Sequence, residues 1–494
     1  MQKTLPNFLE MENMEEYFAP FRNNIIGVDE SFTDTYGTKK VIYADWIASG
    51  RLYRPMENAL LEKLGPFISN PHSYSSYTGQ QVTQAYAEAR KIIRDHVNAD
   101  ENDCLVTTGS GMTGALMRLQ EMLGLKSGKE LKGREKPVVF ITHMEHHSNQ
   151  VSWMETCADV VVLPPAKDVL VDPEILENAL KDYKDRKTKI GAFTACSNVT
   201  GIITPYYDLA EIMHNHGGIC IVDFAASAPY VDMDMHPENP KHKLDAICFS
   251  PHKFLGGPGA CGILLFDKAL HCGRPCVPGG GNVRWTDPWG KFGYTSDIEA
   301  QEDGGTPGFI QAIRAAMAIK IKEQMNVQLM HKRELSLLKK CFSEFESIDG
   351  LEIVGGTNTE IPRIGAVAFN IEGLHYNLVV RLLNDYFGIQ ARGGWSCAST
   401  YCHFLFDIDK EASNSLTERI EANNLTGKPG WVRISVHPTM ADWELEELIK
   451  AVKYLRSNRE SLLKDYYFEP KNNEYYPKDS DKLLKVNRQA FFEF

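Results

Sequence analysis

The sequence predicts an α/β protein: a large domain on a mainly parallel, helix-covered sheet, then a smaller α+β domain. Two observations carry this. Short apolar runs alternate with longer amphipathic stretches, and the rhythm changes character beyond about residue 323. The apolar runs are Pro137–Thr142, Asp159–Leu163, Ile190–Thr194, Gly218–Asp223, Ala246–Ser250 and Gly262–Phe266. Such runs, apolar without strict alternation, belong to strands buried on both faces. Glu174–Tyr183 and Tyr207–His216 read as helices between them, the second stopped by Gly217-Gly218. A long helix from about Gly308 to Glu323 leads away. A strand at Ala366–Ile371, a helix near Tyr376–Phe387 and a final helix from Ala441 to Leu455 then make the smaller unit. The expected divisions are a segment at 1–40, the large domain at 41–308, the small domain at 309–460 and an extension at 461–494. The tail from Leu462 to Phe494 is rich in Lys, Asp, Asn, Tyr and Phe. It reads either as a solvated extension or, through its aromatics, as a segment packed on the body or on a partner.

At about 150 residues per domain, 494 residues allow three domains or two large ones. Hydrophobic residues at 43% and charged residues at 24% are ordinary for a globular chain. Lys and Arg number 53 against 65 Asp and Glu, a net charge of −12. That balance gives no electrostatic reason to expect nucleic acid or an anionic membrane. Uninterrupted apolar runs such as Ile263 to Phe266 are far too short for a membrane helix. Glu10, Glu12, Glu15 and Glu16 near the N-terminus argue against a signal peptide. Eleven cysteines are an odd and scattered set, which points to a reducing cytosol rather than a disulfide framework. Cys272 with Cys276, and Cys397 with Cys402-His403, lack the repeated Cys-x-x-Cys spacing of zinc sites, so no metal is expected.

Four segments carry chemistry. Ser250-Pro251-His252-Lys253 places a lysine in a loop between two apolar strands. A lysine there suits a Schiff base with a carbonyl cofactor, although surface lysines are common. The following Gly257-Pro258-Gly259-Ala260-Cys261-Gly262 fits the dinucleotide pattern Gly-x-Gly-x-x-Gly, but a strand follows where a helix is required. A nicotinamide site is therefore rejected. Ile219–Asp223 ends a strand in an acid, where α/β sheets bind ligands. The carboxylate could face the pyridine nitrogen of pyridoxal phosphate or simply cap the next turn. Thr107-Thr108-Gly109-Ser110-Gly111-Met112-Thr113 precedes a helical stretch, and reads as a phosphate cradle or a ligand-free turn. His143-Met144-Glu145-His146-His147-Ser148-Asn149 offers an imidazole that could stack on a planar ring, bind a metal, or be a satisfied loop cluster.

Together, in this order and spacing with Ser197-Asn198, these segments resemble fold-type I pyridoxal-phosphate enzymes of the class V aminotransferase family. Within it they are most similar to the cysteine desulfurase/selenocysteine lyase group. The resemblance runs from about Tyr43-Ala44-Asp45 through Arg433 and implies a seven-stranded type of sheet. It also implies that Lys253 holds the cofactor, Asp223 pairs with the pyridine nitrogen, His146 stacks on the ring and Asn198 approaches the phenolic oxygen. Ser110 and Gly111 would hold the phosphate with Ser250 and His252. Thr306, in Gly304-Gly305-Thr306-Pro307, looks like the residue donated across a homodimer interface to the partner's phosphate.

The small domain adds Arg392-Gly393-Gly394-Trp395-Ser396-Cys397 and Arg433-Ile434-Ser435. By resemblance Arg433 grips a substrate carboxylate, with Arg392 the next candidate, a role suited to a bidentate guanidinium. Cys397 matches the nucleophile that accepts substrate sulfur; its other reading is a buried small apolar residue. One departure stands out: Ala226 occupies a position where the family carries Gln or His. Alanine cannot hydrogen-bond, so that contact would fall to Asn198 or Ser227. The resulting expectation is a cytosolic homodimer that converts cysteine or selenocysteine to alanine and passes sulfur to an acceptor protein. The rivals are an aminotransferase, epimerase or lyase acting without sulfur transfer, and a non-catalytic sulfur-relay or scaffold protein.

Overall fold

The structure, a computed structural model, describes residues 13–109, 111–126, 128, 131–479 and 489–493. Seven strands form the central sheet: β1 (Asp103–Thr108), β2 (Val138–Thr142), β3 (Asp159–Leu163), β4 (Lys189–Thr194), β5 (Ile219–Asp223), β6 (Ala246–Phe249) and β7 (Gly262–Asp267). They lie in the order β1-β7-β6-β5-β4-β2-β3. Strands β2 to β6 pair in parallel, and β7 runs antiparallel between β1 and β6.

Side chains alternate between two apolar layers, as a strand's period of two requires. Phe140 of β2, Phe193 of β4 and Val222 of β5 pack with Tyr86, Leu176, Met213 and Ala315 from helices Tyr77–His96, Pro173–Asp182, Tyr206–Asn215 and Phe309–Met325. Val139, Ile141, Ile190 and Ile221 pack on the other face against Leu116 and Leu119 of helix Gly111–Met122 and against Trp153. Burial on both faces is why these strands show no polar alternation.

A second, antiparallel sheet follows, ordered Leu351–Val354, Ala366–Ile371, Trp431–Ser435, Arg392–Gly394. Helices Val327–Glu346, Tyr376–Phe387 and Asp442–Leu462 back it through Leu338, Leu382 and Leu448. Ile42–Tyr43 pairs in parallel with Ile389–Gln390, and Ser435 N–H donates to Ala44 at 2.7 Å. Asp45 is thereby delivered beside the second sheet.

Several elements differ from the sequence expectation. Helix Val327–Glu346 was not anticipated: it follows Phe309–Met325 with only Asn326 between, at φ +61°, its side chain accepting the Leu329 N–H. One left-handed residue splits a long apolar pattern into two helices. The last helix runs on to Leu462, because Val452, Leu455 and Leu462 keep facing the core. In the tail, Tyr466–Glu469 and Glu474–Pro477 form a hairpin, and the buried Tyr466 hydroxyl donates to Asp385 at 2.9 Å. That part packs on the body. Among the described residues no helix is long and apolar enough to cross a membrane.

Candidate active site

The carboxyl ends of β4, β5 and β6 open onto a cavity of about 270 Å³. Register sets its floor: β4 and β5 end side by side, with Thr194 opposite Asp223. Asp223 accepts the Ala225 N–H through Oδ1 at 2.7 Å and lines the cavity as well. The cap and ligand readings of this acid are therefore compatible. Burial pushes its carboxyl up to about 6, against the pull of the Ala225 N–H and of Lys253. Lys253 ends the single turn Pro251–Lys253 after β6, a turn pinned by Gly50 N–H donating to His252 at 2.9 Å. Burial pushes its ammonium down to about 8, with Asp223 opposing.

His146 caps helix His147–Met154, its Nδ1 accepting the Ser148 N–H at 3.1 Å. An accepting Nδ1 puts the proton of the neutral ring on Nε2. Burial and the Lys253 charge hold this imidazole down at about 4, so it is neutral near pH 7. Glu145 anchors the same turn from beneath. Its Oε1 accepts from Thr142 Oγ1 at 2.7 Å and from the Thr194 N–H at 3.0 Å, while Oε2 accepts from Asn149 at 2.7 Å. Burial raises this carboxyl to about 7.

At the opposite end Ser250 Oγ accepts the Met112 N–H at 2.8 Å, at the start of helix Gly111–Met122. Gly111 has φ +60°, and a Cβ there would fall 2.9 Å from Ser250 Oγ and 3.9 Å from the His252 ring. The space beside Ser250 and His252 thus exists because residue 111 has no side chain. His252 Nε2 and Asn198 Oδ1 are buried without a partner, on two residues that line the cavity. A helix start, a serine, a histidine and a side-chain-free position suit a phosphate, and an acid, a lysine and a neutral imidazole suit the pyridine ring of pyridoxal phosphate.

The second sheet closes the site. Arg392 and Arg433 are register partners on adjacent strands, and both reach Asp45. Arg433 Nη2 meets Asp45 Oδ1 and Arg392 Nη2 meets Asp45 Oδ2, each at 3.0 Å. Arg433, buried, also donates to the Asn198 carbonyl at 3.0 Å, and its Nε has no protein partner. Two cations share one carboxylate, so the cluster keeps one net positive charge facing the cavity. Next to it Ser396 and Cys397 stand at φ +50° and +58°. Left-handed geometry costs a non-glycine residue about 1–2 kcal/mol, so outside contacts must hold this loop. Cys397 is exposed.

The structure brings His146, Asn198, Asp223, Ser250, His252, Lys253, Arg392, Cys397 and Arg433 to this one cavity, with Gly111 beside it. Ser110 lies outside the described residues. Thr306 is exposed and does not line the cavity of its own chain. Cys397 is not the buried apolar residue of its alternative reading. Ala226 does line the cavity; of its two proposed substitutes only Asn198 joins it, Ser227 being buried elsewhere. Sequence reasoning gave no role to Asp45, Glu145 or Cys196. Cys196 is a second thiol in the lining, its pKa raised by burial. An acid after an apolar Ile42-Tyr43-Ala44 was the one local signal for Asp45.

The sequence model of the aminotransferase class-V family matches residues 42–448. A probable cysteine desulfurase of Halalkalibacterium halodurans is 31% identical over 371 residues, covering 74% of this chain and 86% of that protein. Its counterpart in Staphylococcus aureus is 29% identical over 372 residues, covering 74% and 85%. The apo cysteine desulfurase of Thermococcus onnurineus shares the fold at a TM-score of 0.72 and 23% identity, covering 89% of this chain and 98% of that one. An Escherichia coli cysteine desulfurase does so at 0.68 and 21%, covering 90% and 98%. A match over most of its length makes this chain a member of the aminotransferase class-V family, whose enzymes work with pyridoxal phosphate.

Proposed function

We propose that this protein is a pyridoxal-phosphate-dependent cysteine desulfurase that converts L-cysteine to L-alanine and leaves its sulfur as a persulfide on Cys397, with selenocysteine as a second substrate that gives alanine and loses selenium. One observation carries the reading: an exposed cysteine stands on a fixed loop at the mouth of the cavity that Lys253, Asp223 and Arg433 line. The names of the relatives, probable cysteine desulfurases, support the substrate.

Lys253 would hold the cofactor carbon, Asp223 the pyridine nitrogen, His146 the ring face and Asn198 the phenolic oxygen. Gly111, Ser250 and His252 would take the phosphate, with Ser110 and the Thr306 of a second copy in a homodimer. Bound there, the cofactor supplies an electron sink for charge developing at the substrate α-carbon. The protein does the rest. Arg433, with Arg392, fixes the substrate carboxylate. Lys253, its amine made available by burial, takes the α-proton. The Cys397 thiolate attacks the substrate sulfur, so that an S–S bond forms as the C–S bond breaks. The balance is cysteine plus the Cys397 thiol giving alanine plus the Cys397 persulfide. An exposed Cys397 leaves that outer sulfur open to an acceptor protein, in a reducing cytosol that keeps the thiol free.

The test is incubation of the holoprotein with a panel of amino acids, reading alanine, sulfide and keto acids. Alanine and sulfide from cysteine are expected. A keto acid from another amino acid, with nothing from cysteine, makes the protein an aminotransferase instead.

Two further results are expected. Capture of pyridoxal phosphate by apoprotein, followed as its visible band, should quicken with pH up to about 8 and level off above. The free amine is the nucleophile, and below that pH it is increasingly protonated. A pH-independent rate would remove Lys253 from this role. Arg433→Ala should lower kcat/KM for cysteine by roughly ten- to hundredfold and leave the cofactor spectrum unchanged, the scale of one charge-assisted contact. An unchanged kcat/KM would move the carboxylate site to Arg392.

A further inference from the structure

Since two consecutive residues of the Cys397 loop stand at positive φ, the partners that hold them decide where the thiol points. The Ser396 carbonyl accepts from Asn198 Nδ2 at 2.7 Å, and the Ser396 hydroxyl from Trp431 Nε1 at 3.2 Å. The Cys397 carbonyl accepts the backbone N–H of His147 at 2.7 Å. Two residues on, the Ser399 N–H donates to His147 Nε2 at 3.0 Å, with the Ser399 hydroxyl 2.8 Å from the same nitrogen. His147 therefore grips the loop at Cys397 itself, by its backbone, and two residues after it, by its ring, while Asn198 and Trp431 hold Ser396 before it. Helix Ser399–Leu405 begins here, and its N-cap residue Ala398 supplies no side-chain hydrogen bond. The imidazole does that work from another element. His147 also directly follows His146, so the ring that lines the cofactor cavity and the clamp on the cysteine loop belong to one turn.

We propose that His147 is a positioning residue, whose neutral imidazole latches the Cys397 loop through Ser399 and so sets where the thiol stands against bound substrate. The functional part rests on the reading of Cys397 as sulfur acceptor; the latch itself does not. Nε2 accepts only while unprotonated, with the ring proton on Nδ1. Burial and then the charge of Lys428 favour that neutral form. The other groups around it are the His146 ring, 6.3 Å away, His403, whose Nδ1 lies 2.7 Å from the Ser399 carbonyl, and the Thr400–Gln150 hydrogen bond of 2.8 Å. Because the folded protein holds His147 below its ordinary 6.5, the latch is fully closed above that pH and opens as pH falls beneath it.

Amide hydrogen exchange on the holoprotein, expressed as protection at Ser399 relative to an unstructured peptide, reads the latch directly. His147→Ala should lose protection at Ser399 by roughly tenfold, the scale of one lost hydrogen bond. Wild-type protection should fall below pH 6.5. His147→Gln, whose side-chain carbonyl accepts but does not titrate, should keep protection at neutral pH and lose the pH step. In parallel, sulfur loading of Cys397 should fall about tenfold in kcat for His147→Ala, with KM and the cofactor band unchanged, and recover in His147→Gln. Unchanged protection in His147→Ala overturns the latch. Lost protection with normal sulfur loading overturns the positioning role. A wild type that loads no sulfur, yet shows these exchange differences, supports the latch and sinks the desulfurase reading.

Discussion

Lys253→Ala holoprotein should show no visible band from a lysine-bound cofactor, and its turnover should fall by at least about a thousandfold. On the proposed reading two functions vanish with one side chain: the covalent anchor and the base that takes the α-proton. The geometry makes substitution by a neighbour implausible. Lys253 is delivered by a single turn at the end of β6, pinned to Gly50, with Asp223 one strand away. Burial has already lowered its ammonium to about 8, so the free amine is accessible near neutral pH, as it is not for an ordinary surface lysine. The check is the absorption spectrum with borohydride reduction: in wild type, reduction should fix the cofactor on the peptide carrying Lys253. A visible band that persists in Lys253→Ala would hand the anchor to another lysine and dissolve the site as described.

What could be read from the chain follows its interactions. Runs such as Val138–Thr142 were legible because burial on both faces leaves one composition available, mostly β-branched and aromatic. The loop from Gly257 to Gly262 could be told from a dinucleotide motif because the strand Gly262–Asp267 follows it. Asn326 was opaque: nothing local distinguishes an asparagine inside one helix from an asparagine dividing two. The Asp45–Arg433 pair was opaque for another reason. Its members are 388 residues apart in sequence, and no periodicity links them. Lys253, Asp223 and His146 could be suspected from residue type and position on a strand end, each with a bland rival. Cys397 was singled out only through the resemblance, and so was Thr306, which is exposed and lies outside the cavity of its own chain. The structure adds what resemblance omits, which is how the cysteine loop is held: Asn198 at Ser396 and His147 at Cys397 and Ser399.

Cys397 separates desulfurase from every other class-V reaction. Cys397→Ser should bind cofactor and cysteine as wild type does, yet transfer sulfur at least about a thousandfold more slowly, since an alcohol near neutral pH is a far poorer nucleophile than a thiolate. The substitution is small, and the exposed side chain has no packing role to lose. The left-handed backbone at 397 accepts Ser as poorly as Cys, and His147 and Asn198 bind main-chain atoms, so the loop should keep its shape. Selenocysteine should survive the change better, because selenium departs more readily without a nucleophile. Mass spectrometry of cysteine-treated wild type should find one added sulfur on the peptide containing Cys397, sensitive to reductant and absent in Cys397→Ser. Cys196 is the internal control: it lines the same cavity, but burial raises its pKa, so its peptide should stay unmodified. If the Cys397 peptide also stays unmodified while Cys397→Ser turns over another amino acid at the wild-type rate, sulfur transfer is not this protein's reaction. Lys253, Asp223 and Arg433 would then serve a transaminase, epimerase or lyase, in which Cys397 is dispensable.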